Sequence, residues 1–491
     1  MLEQIIEGLF LTLRVDTFAF MAIGLFGGML VGALPGFTTL MAMAILLPIS
    51  FFLDPVVGIP FLLGVYKGGI FGGSIPAILV SMPGTGAAVA TTADGYQLTK
   101  KGKSRKALDM ALFSSVFGDT ASDIFTLLMI VPIAYLVLQF GPPEIFAILT
   151  MSVVIVAVTA GKNPLKGLIM LAFGLWISFI GSDPIGGMER FTFGLFELRG
   201  GIPLLPLLIG LFALPEIVKI VGRKNIGEAS VATILGERLT LAEFKRCLRT
   251  ICRSTVIGTC IGIIPGLGQM VAAVMGYTAA KNASPVKENF GKGELEGVAA
   301  AEAANNAVNG PTMVPLLTLG IPGDNVTAIL LGAFVAQGLR PGPTLFSEQG
   351  PVVFGILIAM VFANLMFLVI GYLSIPAFAR IITIRSNLLV PLVTMFAVAG
   401  AYVYRSNPND IIVLAIFGVI GIIASSAKFE VMPLVMGFIL GVPLERAFGQ
   451  TLSLANGEML QFAIFERPAM VAILVATPFL AWMLRKKMYA D

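Results

Sequence analysis

The sequence predicts an all-α polytopic membrane protein. Of its 491 residues, 57% are hydrophobic and only 12% are charged, and the mean hydropathy is +0.94. Soluble domains carry about 25% charged residues. A chain this long with so few charges cannot cover a water-facing surface, so lipid must be the solvent for much of it. The apolar runs are continuous rather than alternating, which favours membrane helices over a β-barrel.

Apolar runs follow one another along the whole chain, and most are long enough to span a hydrocarbon core, which takes about 20 helical residues. The pattern predicts about 10–13 membrane segments. Clear examples are residues 16–34, 124–140, 145–159, 165–180, 352–373, 411–425 and 470–484.

Two proline-glycine motifs occur in the same order in each half of the chain. GALPG at 32–36 returns as GIIPG at 262–266, and PAILVSMPG at 76–84 returns as PLLTLGIPG at 315–323. The offsets, 230 and 239 residues, are nearly equal. Chance rarely produces two ordered motifs at matching offsets, so we expect two homologous repeats, 1–225 and 226–491.

The distribution of basic residues predicts that the two repeats have inverted topology. The loop at 54–55 has no Lys or Arg, whereas its counterpart, 281–293, has three lysines. Further on the bias reverses: KKGKSRK at 100–106 has five basic residues, and its counterpart, 338–345, has one. Because cytoplasmic loops collect Lys and Arg, each repeated loop changes sides, as in the inverted repeats of secondary transporters.

The basic C-terminal end does not fit a strict inversion. Exact inversion of a chain with an outside N-terminus places the C-terminus outside, whereas RKK at 485–487 prefers the cytoplasm. An extra terminal helix at 468–484 reconciles the two expectations.

The Pro-Gly motifs predict interrupted helices or re-entrant hairpins that bind an anion. Proline removes a backbone donor and breaks a helix, and the helix that restarts presents free N–H groups and the positive end of its dipole. Such ends bind carboxylates. Irregular backbone at membrane depth is tolerated where protein or a water-filled cavity satisfies it. Polar side chains close to the breaks are Thr38, Thr39, Ser81, Thr85, Thr91, Thr92, Gln269, Asp324, Asn325 and Thr327.

Three polar positions near the breaks have alternative interpretations. Asp324, with Asn325, is a candidate Na⁺ ligand because an intramembrane acid is costly without a partner, but aspartate is also a good helix N-cap. Lys67 either pairs with a substrate carboxylate or snorkels to the membrane surface, and Asn306 is its counterpart in the second repeat. Asp119 and Asp123, four residues apart, are interpreted as an interfacial turn.

Several activities are disfavoured. The chain has no histidine, and its three cysteines lack the spacing of a zinc site. The glycine-rich GGIFGGS lacks the Gly-Lys-Ser/Thr ending of a P-loop, and the net charge of +4 needs no nucleic-acid partner. We therefore expect no cofactor other than a coupling ion. An intramembrane enzyme acting on a lipid-linked substrate and a passive anion channel remain alternatives.

The motifs carry a family resemblance over essentially the whole chain. YKGGIFGGSIPAILVSMPGTGAAVATTADGYQL and EGVAAAEAANNAVNGPTMVPLLTLGIPGDNVTAILLGAFVAQGL, together with GALPG and GIIPG, resemble the large membrane subunit of bacterial tripartite tricarboxylate transporters. The resemblance implies Na⁺- or H⁺-coupled uptake of tri- or dicarboxylates, such as citrate, across the bacterial inner membrane. It also implies two protein partners, a small membrane subunit and a periplasmic solute-binding protein, and an elevator-like movement.

The resemblance extends binding roles to the glycines and prolines of the motifs. With the polar positions above, the predicted substrate and ion site comprises Gly36, Thr38, Thr39, Lys67, Ser81, Pro83, Gly84, Thr85, Gly86, Gly266, Gly268, Gln269, Asn306, Gly320, Pro322, Gly323, Asp324 and Asn325.

Overall fold

Helices make up nearly all of the regular structure in the computed structural model, which describes residues 2–222, 234, 236–381 and 390–489. The helices of the first half are α1 (Leu2–Thr12), α2 (Val15–Ala33), α3 (Thr39–Ser50), α4 (Pro55–Val80), α5 (Ala88–Lys100), α6 (Ser104–Leu138), α7 (Pro142–Thr159), α8 (Pro164–Ser178) and α9 (Leu204–Gly222). A short antiparallel hairpin pairs Gly181–Ser182 with Glu189–Arg190 between α8 and α9.

The second half of the chain is also helical. Its helices are α10 (Leu241–Gly262), α11 (Gly268–Ala283), α12 (Leu295–Asn306), α13 (Met313–Leu319), α14 (Asn325–Ala336), α15 (Leu345–Glu348), α16 (Gly350–Ile381), α17 (Val390–Arg405), α18 (Asn409–Ser426), α19 (Met432–Ala455), α20 (Met459–Gln461) and α21 (Pro468–Tyr489). The all-α prediction is therefore confirmed, and a helix does occupy the expected C-terminal position.

The lengths of the apolar helices agree with a chain that crosses the membrane many times. Within the described ranges, nine helices are long and apolar enough to cross a bilayer, and four shorter apolar helices are Thr39–Ser50, Pro164–Ser178, Asn325–Ala336 and Val390–Arg405. Nine is one fewer than the lower limit of the predicted range of about 10–13 membrane segments. The four shorter apolar helices have fewer than 18 residues each and are not among the nine. The chain is a polytopic α-helical membrane protein.

Glycines on α2 and α4 let these two helices pack with their backbones almost in contact. A Cβ atom added at Gly24 would lie 2.1 Å from the carbonyl oxygen of Phe61, and one at Gly28 would lie 2.3 Å from that of Val65. Small residues four apart are a common means of close helix packing in membranes. This contact holds α4, which carries Tyr66 and Lys67, at the centre of the protein, where the apolar stretch of the helix is completely buried.

The elements recur in the same order along the chain, and their contacts are reciprocal. The sequence α2–α3–α4–α5–α6 corresponds to α10–α11–α12/α13–α14–α16. Helix α8 packs on α19 as α9 packs on α18, and α5 contacts α11 as α14 contacts α3. The predicted boundary between the halves, at 225–226, lies outside the described residues. The division into two repeats and their inversion across the membrane stay predictions.

Candidate functional site

The first Pro-Gly break separates α4 from α5 through a left-handed turn. Ser81 has φ 59° and ends α4, and the N–H of Met82 donates to the carbonyl of Pro76 at 3.2 Å. The N–H of Gly84 then donates to the carbonyl of Gly73 at 3.0 Å, which folds the break back against α4. The hydroxyl of Thr85 accepts from the N–H of Ala88 at 3.2 Å, and α5 restarts at Ala88 with no charged residue at its N-cap, Ala87. The predicted interruption is confirmed.

The second break has the same backbone geometry 239 residues later. Gly320 has φ 69°, and the N–H of Ile321 donates to the carbonyl of Pro315 at 3.1 Å. After Pro322 and Gly323, the Asp324 carboxylate accepts from the N–H of Thr327 at 2.7 Å. Asp324 is therefore the N-cap of α14, as one of its two interpretations predicted. Its role as an ion ligand stays a prediction.

Exposure distinguishes the two breaks. Ser81, Pro83 and Gly86 of the first break are exposed, and Gly84 is buried beneath them. In the second break, Pro322 and Gly323 are buried and Asp324 is only 6% exposed. The two breaks therefore share a backbone conformation but differ in access.

The upstream G-x-x-P-G motifs form a second layer around the breaks. Gly36 (φ 88°) and Gly266 (φ 84°) both adopt the left-handed conformation, which glycine reaches without strain. The N–H of Gly266 donates to the carbonyl of Gly323 at 2.8 Å, so this motif is bonded directly to the second break. Thr38 caps α3 by accepting from the N–H of Met41 at 3.3 Å. Thr39 is buried, and its methyl group lies against Gly69.

The first turn of α11 joins the two breaks. Gly268 lies beside Asp324, where an added Cβ would be 3.3 Å from that of Asp324. Met270 lies beside the first break, with its sulfur 3.2 Å from the Cβ position of Gly86. Gln269, between them, donates its amide to the Tyr66 hydroxyl. Two residues of this turn, Gly268 and Met270, thus lie against the second and the first break respectively.

Tyr66 connects α4 to the second break, a contact that the sequence did not predict. Its hydroxyl donates to Asp324 Oδ2 at 2.6 Å, and the ring is completely buried. The other oxygen of Asp324 accepts from Thr327, so the carboxylate accepts hydrogen bonds on both sides. The side-chain oxygen of the neighbouring Asn325 is buried and has no hydrogen-bond partner in the described part of the chain.

The structure contradicts two interpretations at the centre of the protein. Lys67 does not snorkel: it is fully buried, and Nζ lies 2.8 Å from Asp119 Oδ1 and 2.7 Å from Asp123 Oδ2. Asp119 and Asp123 are not an interfacial turn, because both are buried within the continuous helix α6. Asn309 donates to Asp119 and Asn364 donates to Asp123, at 3.3 and 2.7 Å. Their spacing of four residues places both acids on one face of α6, opposite Lys67.

A second buried acid, Glu302, is a further centre that the sequence analysis missed. It is 0% exposed and accepts hydrogen bonds from the hydroxyls of Ser74, Thr91 and Ser115. Asn306, the counterpart of Lys67, donates to Ser115 Oγ at 2.8 Å and to the Glu302 carbonyl at 3.1 Å. The signal was present in the sequence, since Glu302 is a lone acid in the small-residue run GVAAAEAANNAV.

The predicted site residues thus fall into two groups. Those of the motifs lie at the two breaks and in the turns beside them, and of these the first turn of α11 contacts Gly86 and Asp324. This group contains Gly36, Thr38, Thr39, Ser81, Pro83, Gly84, Thr85, Gly86, Gly266, Gly268, Gln269, Gly320, Pro322, Gly323, Asp324 and Asn325. Lys67 and Asn306 instead belong to the buried polar clusters along α6 and α12.

The sequence of the chain matches a known family of membrane proteins. The family model described as the tripartite tricarboxylate transporter TctA family matches residues 18–436, which is most of the chain and includes all four Pro-Gly motifs. The chain belongs to the TctA family. It is therefore a subunit of a tricarboxylate transporter, and the TctA family is a transporter family rather than an enzyme family.

Two curated relatives of this TctA-family chain come from Agrobacterium vitis. One, an uncharacterised 52.8 kDa protein in the TAR-I ttuC' 3' region, is 35% identical over 440 residues, covering 90% of this chain and 88% of the relative. The other, an uncharacterised protein in the TAR-II ttuC' 3' region, is 35% identical over 205 residues, covering 42% of this chain and 85% of the relative. No solved structure matches the chain significantly.

Proposed function

We propose that this protein is the substrate-carrying membrane subunit of a secondary transporter that imports organic acids, either tri- or dicarboxylates. The observation that carries the proposal is the meeting of both Pro-Gly breaks at the first turn of α11. Met270 contacts the first break and Gly268 lies beside Asp324 of the second, while Gln269 donates to Tyr66 of α4, which itself donates to Asp324. Paired interrupted helices around one centre are typical of secondary transporter sites.

The two breaks have different charges, and this difference assigns them different roles. The N-terminus of α5 carries no charged cap: its N-cap residue is Ala87, the hydroxyl of Thr85 accepts from the N–H of Ala88, and Gly86 is exposed. A substrate carboxylate is therefore attracted to this end by the helix dipole and the first backbone N–H groups. The N-terminus of α14 already carries the carboxylate of Asp324, which repels a second anion. We therefore place the substrate carboxylate at the first break. The second break, which carries Asp324, forms the opposite side of the binding site.

The difference in exposure supports alternating access. The first break is exposed and the second is buried. This difference is expected of a transporter whose site opens to one side of the membrane at a time. An elevator-like movement of the break-bearing hairpins against the remaining helices accounts for exchange between the states. The energy comes from a Na⁺ or H⁺ gradient across the bacterial inner membrane.

Two partners complete the proposed system, as the name of the family implies a tripartite assembly. A periplasmic solute-binding protein delivers the acid, and a small membrane subunit accompanies this chain in the lipid bilayer. Selection among acids then rests largely on the binding protein, because backbone N–H groups recognise a carboxylate and not the rest of the molecule.

Counterflow in proteoliposomes tests the proposal. Purified protein, with its partners, is reconstituted with a panel of unlabelled di- and tricarboxylates inside, and uptake of each labelled acid is followed with and without a Na⁺ gradient. We expect labelled acid to accumulate transiently against its gradient, because a carrier exchanges substrate and a channel does not. Absence of counterflow for every acid of the panel would contradict carrier function.

Variants of the two breaks test the location of the site. Gly84→Leu places a side chain 2.7 Å from Gly73 Cα and 2.9 Å from the Gly32 carbonyl oxygen, and Asp324→Ala removes the α14 cap and the partner of Tyr66. We expect each to lose at least tenfold in uptake while still inserting into the membrane. Gly222→Leu is the matched control, because an added Cβ there meets no atom within 4 Å. Normal uptake by both break variants would refute the assignment.

A further inference from the structure

Glu302 is a fully buried acid that has no ion-pair partner among the described residues. The side chain is 0% exposed, and hydroxyls from three different helices surround it. Ser74 Oγ of α4 lies 2.6 Å from Oε1, Thr91 Oγ1 of α5 donates to the same oxygen, and Ser115 Oγ of α6 lies 3.1 Å from Oε2. Four helices therefore converge on one carboxylate.

The charge of this centre is not balanced within the described part of the chain. Ion pairs between described residues include Lys67 with Asp119 and Asp123, but none of them includes Glu302. Hydroxyl donors lower the cost of a buried carboxylate and do not cancel its charge. An ionised acid inside a membrane protein is expected to have a partner, and no described residue supplies a positive charge to Glu302.

Asn306 provides a second, independent sign of a ligand. Its amide nitrogen donates to Ser115 Oγ, which itself donates to Glu302 Oε2, and to the main-chain carbonyl of Glu302 one turn back. Its amide oxygen is buried and has no hydrogen-bond partner among the described residues. A buried acceptor without a donor is costly, and a cation would remove that cost.

The geometry points to a Na⁺ site formed by the Glu302 carboxylate, the hydroxyls of Ser74, Thr91 and Ser115, and the amide oxygen of Asn306. All of these ligands are oxygens, which hard cations prefer, and no sulfur or imidazole is present to favour a transition metal. One carboxylate matches one monovalent charge. Without the ion, the hydroxyl hydrogens point at the Glu302 Oε atoms. When the ion is bound, these hydrogens turn away and the hydroxyl oxygens turn their lone pairs towards the ion.

This inference rests on the proposed transport function and supplies its coupling ion. Ser74 follows Gly73, whose carbonyl accepts the N–H of Gly84 in the first break. Thr91 lies on α5, two turns beyond Thr85. Na⁺ would therefore draw α4 and α5 towards α12 and hold the two sides of the first break in place. Binding of the ion and binding of the acid at that break would favour one another.

Direct binding of ²²Na⁺ to the purified protein in detergent, without any organic acid, tests the site. We expect saturable binding by the wild-type protein, loss of that binding in Glu302→Gln, and at least tenfold weaker binding in Thr91→Val. Both substitutions keep the size of the side chain, so the folded protein is expected to survive. Glu296→Gln is the matched control: Glu296 also lies on α12 and accepts hydrogen bonds from Thr250 and Ser284, but it is only partly buried.

The possible results separate the ion site from the transport site. Binding of ²²Na⁺ that is unchanged in both Glu302→Gln and Thr91→Val overturns the inference. So does a wild-type protein that binds no Na⁺ and instead changes its thermal stability with pH in a manner abolished by Glu302→Gln, since the coupling ion is then a proton. Failure of counterflow with normal ²²Na⁺ binding overturns the transport proposal and leaves this site standing.

Discussion

Asp324 and Thr85 each lie four residues after the left-handed residue that ends the preceding helix, Gly320 or Ser81, and only one of them is charged. Each accepts a hydrogen bond from the N–H three residues on, but only Asp324 is the N-cap of the helix that follows. A neutral side chain leaves a helix end positive, whereas aspartate neutralises it. Under the proposed function, the first break therefore attracts an anion and the second repels one.

Lys67 is a residue whose role is set entirely by long-range contacts. Its ammonium bridges Asp119 and Asp123, and all three side chains are almost completely buried. Lys67→Met leaves two buried acids facing each other without a cation. We expect a loss of about 3–5 kcal/mol in the free energy of unfolding, as for other buried ion pairs from which one partner is removed.

Thermal unfolding in detergent, followed by tryptophan fluorescence or by aggregation, measures this loss. Lys103→Met removes a lysine whose side chain is exposed in the turn before α6, so it serves as the control and should unfold like the wild type. A Lys67→Met protein that unfolds at the wild-type temperature would show that the buried cluster does not depend on its cation.

At the scale of elements, glycine spacing on α2 and α4 decides whether the central helix can pack. Gly28→Ala would place a methyl group 2.3 Å from the backbone oxygen of Val65, which cannot move without displacing α4. Gly27→Ala would meet only the end of the Leu46 side chain, at 3.1 Å, which can rotate away. We expect Gly28→Ala to lower the unfolding temperature by several degrees and to reduce transport, and Gly27→Ala to change both little.

This pair of neighbouring substitutions is measured by the same unfolding assay, together with the yield of monodisperse protein after solubilisation. The comparison controls for helix propensity, because both variants replace glycine by alanine in the same turn of α2. Equal stability of the two variants would contradict the close contact between α2 and α4.

The helices and their breaks could be predicted from the sequence more completely than the contacts between side chains of different helices. Breaks at Pro83 and Pro322 were predictable, because proline and glycine act on the local backbone whatever surrounds them. The contacts of Lys67 were not, because Asp119 and Asp123 lie more than 50 residues away and their pairing depends on how α4 and α6 pack. Glu302 was missed for the same reason: its hydroxyl partners come from α4, α5 and α6, which no short motif connects.

On the scale of the whole molecule, the structure combines repetition with asymmetry. Corresponding helices make reciprocal contacts, as α8 with α19 and α9 with α18. Yet the first Pro-Gly break is exposed and the second is covered. In the proposed transport cycle, exchanging the two arrangements would open the site on the other side of the membrane.

The central claim is that both breaks belong to a single substrate site, and protection from thiol labelling tests it most directly. Gly86→Cys and Asn325→Cys are introduced separately into a protein whose exposed Cys252 and Cys260 are replaced by serine. The labelling rate of each is then measured as the acid that gives the strongest counterflow is titrated in. We expect the acid to slow both reactions with the same half-protecting concentration. Protection of only one cysteine, or of the two at clearly different concentrations, would contradict a shared site.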